Sequence, residues 1–274
     1  MPDTFPILDD HMHINPRKGL GMTAIQQFKR SGGTHIVLVS LASWSYGINL
    51  TKPDDFRDIF TEHLKIVDDV RSEGCVCYPI CGVHPCELER LLDRMSLNDA
   101  ETLLCGALDI AAEFVDNNLS IGIKSGRPHY AVNQDIWDTS NRILLHALTL
   151  ASDHDCCIQI HAEESPCTDI VDMAKQVGMD INRVVKHFAT CDTPLHPSVT
   201  VREPILNTWI SEKKDFTLES DYIDDMSRPG AANGPRSVPR HVNRMLNANI
   251  ISTEDIWRIN SKIPERVYRV PFEL

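Results

Sequence analysis

Positive charge, aromatic residues and long apolar runs are all scarce in this sequence of 274 residues. Lys and Arg number 27 against 39 Asp and Glu, a formal net charge of −12. So acidic a surface repels phosphate backbones and anionic lipid, which argues against broad electrostatic binding to nucleic acid or membrane. A local basic patch holding a phosphorylated small molecule stays compatible with it. Aromatics make up 6%, with no aromatic–basic stripe of the kind that stacks single-stranded bases. The longest apolar runs, such as residues 36–41, are strand-sized and cannot span a bilayer. The opening MPDTFPILDDHMHI has no basic segment followed by an apolar one, so no signal peptide is expected.

Paired cysteine motifs are also missing. Nine cysteines are present, an odd count. Cys75, Cys77, Cys81, Cys105, Cys156 and Cys157 fall on predicted strands or helices, and Cys86, Cys167 and Cys191 in loops. That distribution reads as thiols in a reducing cytosol, not a disulfide framework. Cys75, Cys77 and Cys81 lack a C-x2-C pair and a matching second half, so they do not read as a metal site.

What is present is a rhythm. Short β-branched runs alternate with longer segments of helical period, the pattern of repeated βα units. Strands are predicted over residues 7–13, 35–41, 76–83, 119–124, 157–161, 184–187, 199–202 and 216–221. Helices are predicted over 24–31, 54–72, 98–117 (capped by Asn98), 135–152, 168–177, 204–213, 238–246 and 253–267. Residues 189–198 hold two prolines and are expected to form a loop. No G-x-G-x-x-G follows the first strand, which disfavours an open dinucleotide-binding sheet. Eight strands without a second core predict a single (β/α)8 TIM barrel spanning residues 1–274.

Catalytic residues of such barrels project from the C-terminal ends of the strands. His11 and His13 lie two apart at the end of the first strand, so both should face the barrel interior. Lys124 ends the fourth predicted strand, His161 the fifth, His187 the sixth and Asp221 the eighth. One such histidine is ordinarily structural, as expected for His35 and His63. A whole set of ligand types at strand ends points to a metal site.

These residues resemble a known family. Asp10-His11-Met12-His13 is similar to the H-x-H opening of the amidohydrolase superfamily, and more narrowly of its TatD-related branch. Gly82-Val83-His84-Pro85 resembles that branch's G-V-H-P, and Glu219-Ser220-Asp221 its eighth-strand E-[ST]-D. The resemblance continues to Asn260-Ser261 and the closing helix. One departure matters: Lys124 stands in the fourth-strand segment where TatD proteins carry glutamate. Phosphotriesterase-like members place there a lysine carboxylated by carbon dioxide, whose carbamate bridges two metals. An ordinary ammonium offers metals no lone pair. The alternative is that Lys124 stays cationic and binds an anionic substrate over one metal.

The resemblance implies two divalent ions, zinc foremost, with manganese, iron, cobalt and nickel also open. His11, His13 and Asp221 would hold one and His161 and His187 the other, with Lys124 and a hydroxide bridging. Asp221 would accept the proton of the attacking water. His84, Arg127 and His129 lie just past strand ends and are expected to meet substrate, with Glu163 and Glu164 orienting ligands. Arg228, Arg236 and Arg240, in and beside the Gly- and Pro-containing stretch 223–239, are candidates to clamp a phosphate or carboxylate. Surface pairing with Asp224 and Asp225 is their rival reading. The expected activity is hydrolysis of a phosphoester, lactone or amide in a small molecule. A deoxyribonuclease or phosphodiesterase is the runner-up, and an inactive metal-binding scaffold the alternative of another class. A homo-oligomer stays open.

Overall fold

The computed structural model describes residues 5–227 and 233–274. Its strands are β1 (Leu8–His13), β2 (His35–Val39), β3 (Val76–Gly82), β4 (Gly122–Gly126), β5 (Cys157–His161), β6 (Val184–Lys186), β7 (His196–Thr200), β8 (Thr217–Glu219) and β9 (Tyr222–Ile223). All pair in parallel, in the order β8-β7-β6-β5-β4-β3-β2-β1-β9. Only Ser220 and Asp221 separate β8 from β9. The two are one interrupted eighth strand, whose first part pairs with β7 and second part with β1. The break closes the sheet into the predicted barrel.

The helices are α1 (Met22–Arg30), α2 (Asp55–Ser72), α3 (Cys86–Leu91), α4 (Leu97–Asp116), α5 (Gln134–Asp153), α6 (Thr168–Gln176), α7 (Ile205–Ser211), α8 (Ser237–Asn247), α9 (Thr253–Trp257) and α10 (Ile263–Tyr268). They surround the strands. Outward residues such as Ile36, Leu38, Ile123, Ile158 and Ile160 pack against buried faces of α2, α4 and α5. Inward residues Leu8, Val37, Val39, Ile80, Cys157 and Val185 form an apolar plug with Ile263, Val267, Tyr268 and Phe272. This plug is what lets the opposite end of the barrel be polar.

Four local expectations need correction. The seventh strand is His196–Thr200, not 199–202, and replaces the end of the expected loop. Pro197 sits near its start, where a missing N–H is best tolerated, and the polar residues His196, Ser198 and Thr200 alternate with buried Val199. Ser96, not Asn98, caps α4: its hydroxyl accepts from the amide of Asp99. The short helix α3 was not expected. The single helix predicted over 253–267 is α9 and α10 joined by a π turn, Arg258–Lys262.

A bulge in β1 sets the site. Asp9 pairs with Ile36 and Met12 with Leu38, three steps against two. The extra residue lets Asp10 and His11 both face inward. Met12 then packs outward in the core and His13 returns to the interior.

Candidate metal centre

The C-terminal parts of the strands and the residues just past them bring His11, His13, Lys124, His161, His187 and Asp221 around one cavity of about 160 Å³, with Lys124 at the middle of β4 and not at its end as expected. His84, Asn15, Ser40, Ser45 and Asp225 complete its polar lining, and Leu41, Ala42, Trp44 and Ile223 give it an apolar wall. Close approach of backbones places Lys124: a side chain on Gly82 would collide with the Lys124 carbonyl oxygen, and one on Gly126 with that of His161. The wall is tied to α3, where Glu87 accepts from the amide of Ser43 at 2.6 Å and its hydroxyl at 3.1 Å. Trp44 next to it lies under the guanidinium of Arg90, 4.8 Å from the ring centre.

Ligand atoms of His11, His187 and Asp221 all lie within 4.8 Å of one another. The rings of His11 and His187 stack at 4.0 Å. The other histidines join by close nitrogen pairs: His11 Nε2 is 3.1 Å from His13 Nε2, and His161 Nδ1 is 3.0 Å from His187 Nε2. His13 Nδ1 donates to the carbonyl of Val39 at 2.7 Å, which leaves its Nε2 a bare acceptor. His187 Nδ1 points at Glu219 Oε1, 3.4 Å away, and so presents Nε2 likewise. The lone pairs of His11 and His187 close to the Asp221 carboxylate, with His13 and His161 each near one of them, are the donor types of a divalent transition metal. The residues fit such an ion.

Burial sets the protonation states. It pushes His13 down to about 3, and His11 and His187 well below the ordinary histidine range, with Lys124 adding to each. The histidines are therefore neutral, as metal ligands must be. Burial also pushes the Lys124 amine down to about 7, against the pull of Asp221 and Glu219. Its Nζ has no hydrogen-bond partner among the described residues. Glu219 is held well above the carboxylate range by burial and by the charge of Asp221.

The substrate residues expected from sequence divide. His84 lines the cavity, and its Nδ1 accepts from the amide of Cys86 at 3.2 Å, which turns an Nε2–H outward. His129 meets His161 instead, 2.6 Å from its Nε2. Arg127 is buried and is not among the residues lining the cavity. Its guanidinium grips Glu163 at 2.5 Å and Asp169 at 2.5 Å, and stacks over Trp137. Glu163 is thereby spent on Arg127, and Glu164 is exposed. Arg236 and Arg240 are exposed and do not line the cavity, and Arg228 lies outside the described residues. Asp224 is buried, accepting from the amides of Leu20 and Gly21 and the hydroxyl of Tyr222.

Sequence reasoning missed two orienting groups, Glu219 behind His187 and Gln159 behind His11. Strand period was the available signal for both: Gln159 lies two residues before His161, and Glu219 two before Asp221.

The sequence model of the family described as TatD related DNase matches residues 8–269. The chain belongs to this family. It is 33% identical over 282 residues to the uncharacterized protein MJ1127 of Methanocaldococcus jannaschii, covering 99% of this chain and 98% of that one. Among solved structures it is similar to the TatD homologue YjjV of Escherichia coli (TM-score 0.66, 14% identity, 97% and 98% of the two chains). It is also similar to the phosphotriesterase homology protein of Escherichia coli, solved with phosphate in its active site (TM-score 0.64, 10% identity, 97% and 99%). A third is the lactonase Lmo2620 of Listeria monocytogenes (TM-score 0.62, 13% identity, 100% and 97%). At these identities the structural likeness shows the shared barrel. This TatD-related chain has its candidate ligands at the barrel end where that fold puts its chemistry.

Proposed function

We propose that this TatD-family protein is a metal-dependent hydrolase acting on an ester-like bond of a small molecule. The observation that carries this is the convergence of His11, His187 and Asp221 on the floor of a cavity near 160 Å³ with one apolar wall. A bound divalent metal would polarise the scissile group and lower the pKa of water toward ~7. Asp221 then accepts the proton of the attacking water. His84, which burial pushes down to about 3, acts as a neutral hydrogen-bond donor through Nε2, not as an acid. Trp44, Leu41 and Ile223 hold the apolar part of the substrate.

Two metals, with zinc first, and a carbamate on Lys124 belong to the same reading. Carbon dioxide reacts with a neutral amine, and burial makes that form of Lys124 available near pH 7. A cytosolic setting suits nine unpaired thiols. Nuclease activity is the second reading, favoured by the family match. Against it stand a small cavity and the lack, among its described lining residues, of any Arg or Lys besides buried Lys124.

The test strips the protein with a chelator, restores Zn²⁺ or Mn²⁺, and assays a lactone, a phosphotriester, bis(p-nitrophenyl) phosphate and a DNA oligonucleotide. Metal-dependent turnover of small esters with DNA uncut supports the proposal. Preferred DNA cleavage favours the nuclease, and no turnover of any substrate rejects both.

A further inference from the structure

Behind His11 runs a line of buried side chains that ends on the last helix. His11 Nδ1 lies 2.6 Å from Gln159 Oε1. Gln159 Nε2 donates to the backbone carbonyl of Asp10 at 2.8 Å and to the hydroxyl oxygen of Tyr268 at 2.7 Å. The Tyr268 hydroxyl in turn donates to Asp10 Oδ1 at 2.7 Å, while Thr217 donates to Oδ2 at 2.6 Å. Every member is buried.

We infer that Gln159, oriented by Tyr268 and the Asp10 carbonyl, is a positioning residue that fixes the His11 tautomer for metal binding. A backbone carbonyl can only accept, so the amide nitrogen of Gln159 must face Asp10. Its oxygen therefore faces His11. Two acceptors 2.6 Å apart in a buried, low-dielectric interior would repel, so His11 carries its proton on Nδ1. The Nε2 lone pair is then aimed at the cavity before any ion arrives, and the ring cannot turn without breaking this bond. Tyr268 sits on α10, which also plugs the barrel bottom. The closing helix thus reaches the metal site through two side chains, Tyr268 and Gln159.

This inference rests on the metal-site reading above, and its readouts are chosen to be independent of turnover. Wild type, Gln159→Leu, Gln159→Glu and Tyr268→Phe would be compared as full-length chains. The first readout is the ¹⁵N signature of the His11 ring in metal-free protein. The second is the Kd for Zn²⁺ against a competing chelator, with thermal melts as the check of folding. Wild type should show the Nδ1–H tautomer. Gln159→Leu should lose that preference and bind Zn²⁺ about 10- to 100-fold more weakly. Gln159→Glu, which keeps the acceptor for His11 but loses the amide donors to Asp10 and Tyr268, should recover part of the affinity, and Tyr268→Phe should weaken it by less than Gln159→Leu does. An Nε2–H tautomer in the wild type overturns the inference, as does unchanged Zn²⁺ affinity in folded Gln159→Leu. If Gln159→Leu does not fold, the wild-type tautomer and Tyr268→Phe decide it. A protein that shows the Nδ1–H tautomer but turns over nothing would reject the hydrolase reading and leave this one standing.

Discussion

The amide of Asp221 donates to the carbonyl of His11 at 3.1 Å, across the gap where the eighth strand breaks. Asp221 has φ 47°, a left-handed conformation. The same residue therefore sits in the break between β8 and β9, begins the pairing to β1, and brings its carboxylate to the ligand histidines. Barrel closure and site assembly are one local event.

That backbone decides how Asp221 should be probed. Asparagine tolerates left-handed φ far better than alanine, which costs about 1–2 kcal/mol there. Asp221→Asn is expected to cut kcat by about 10²- to 10⁴-fold with little change in thermal midpoint. Asp221→Ala should lose activity and melt earlier. Steady-state kinetics beside a melting curve separates the two effects, and a near-wild-type kcat in Asp221→Asn would remove its role as proton acceptor.

Lys124 is tested by counting metal. Elemental analysis of protein purified with bicarbonate should give about two ions per chain, as in binuclear sites of this type. Lys124→Ala should hold fewer and regain them with a short carboxylic acid, and ¹³C-bicarbonate should label the wild type at a carbamate shift. One ion in both proteins would remove the bridge and make Lys124 a substrate-binding cation.

Arg127 serves stability. It joins the end of β4 to the loop after β5 through Glu163 and to α6 through Asp169. Removing one partner of a buried pair costs 3–5 kcal/mol, and the exposure of Asp169 lowers the expectation for Arg127→Met to about 2 kcal/mol. Urea unfolding should show that loss, while KM of the folded variant stays unchanged. A raised KM with unaltered stability would restore Arg127 to the substrate.

The metal-free protein should be acid-sensitive. Nine histidines are held below their ordinary value, His63 and His196 to about 4, chiefly by burial. Unfolded chains take up those protons near pH 6.5 and the folded chain does not, so stability falls as pH drops from 6.5 toward 4. Asp9, Asp10, Glu87 and Glu219 are shifted upward and act in the opposite sense, but they are fewer. Denaturant midpoints in chelator should be lower at pH 5 than at pH 7. A higher midpoint at pH 5 would mean that the carboxylates dominate.

By itself the sequence determined the βα rhythm, the end of each strand that bears ligand types, and the inward aim of His11 and His13. Those follow from local period and side-chain chemistry. It also marked His35 and His63 as structural, and Nε2 of each meets a backbone carbonyl, of Glu273 and Leu38 respectively. Only the tertiary structure decided the position of β7, the split of the eighth strand and the direction of Arg127. Pairing in a parallel barrel is set by distant neighbours, and a long side chain just past a strand end can turn to either side. The link from Tyr268 to Gln159, 109 residues apart, exists only because the last helix closes the barrel under the first strand.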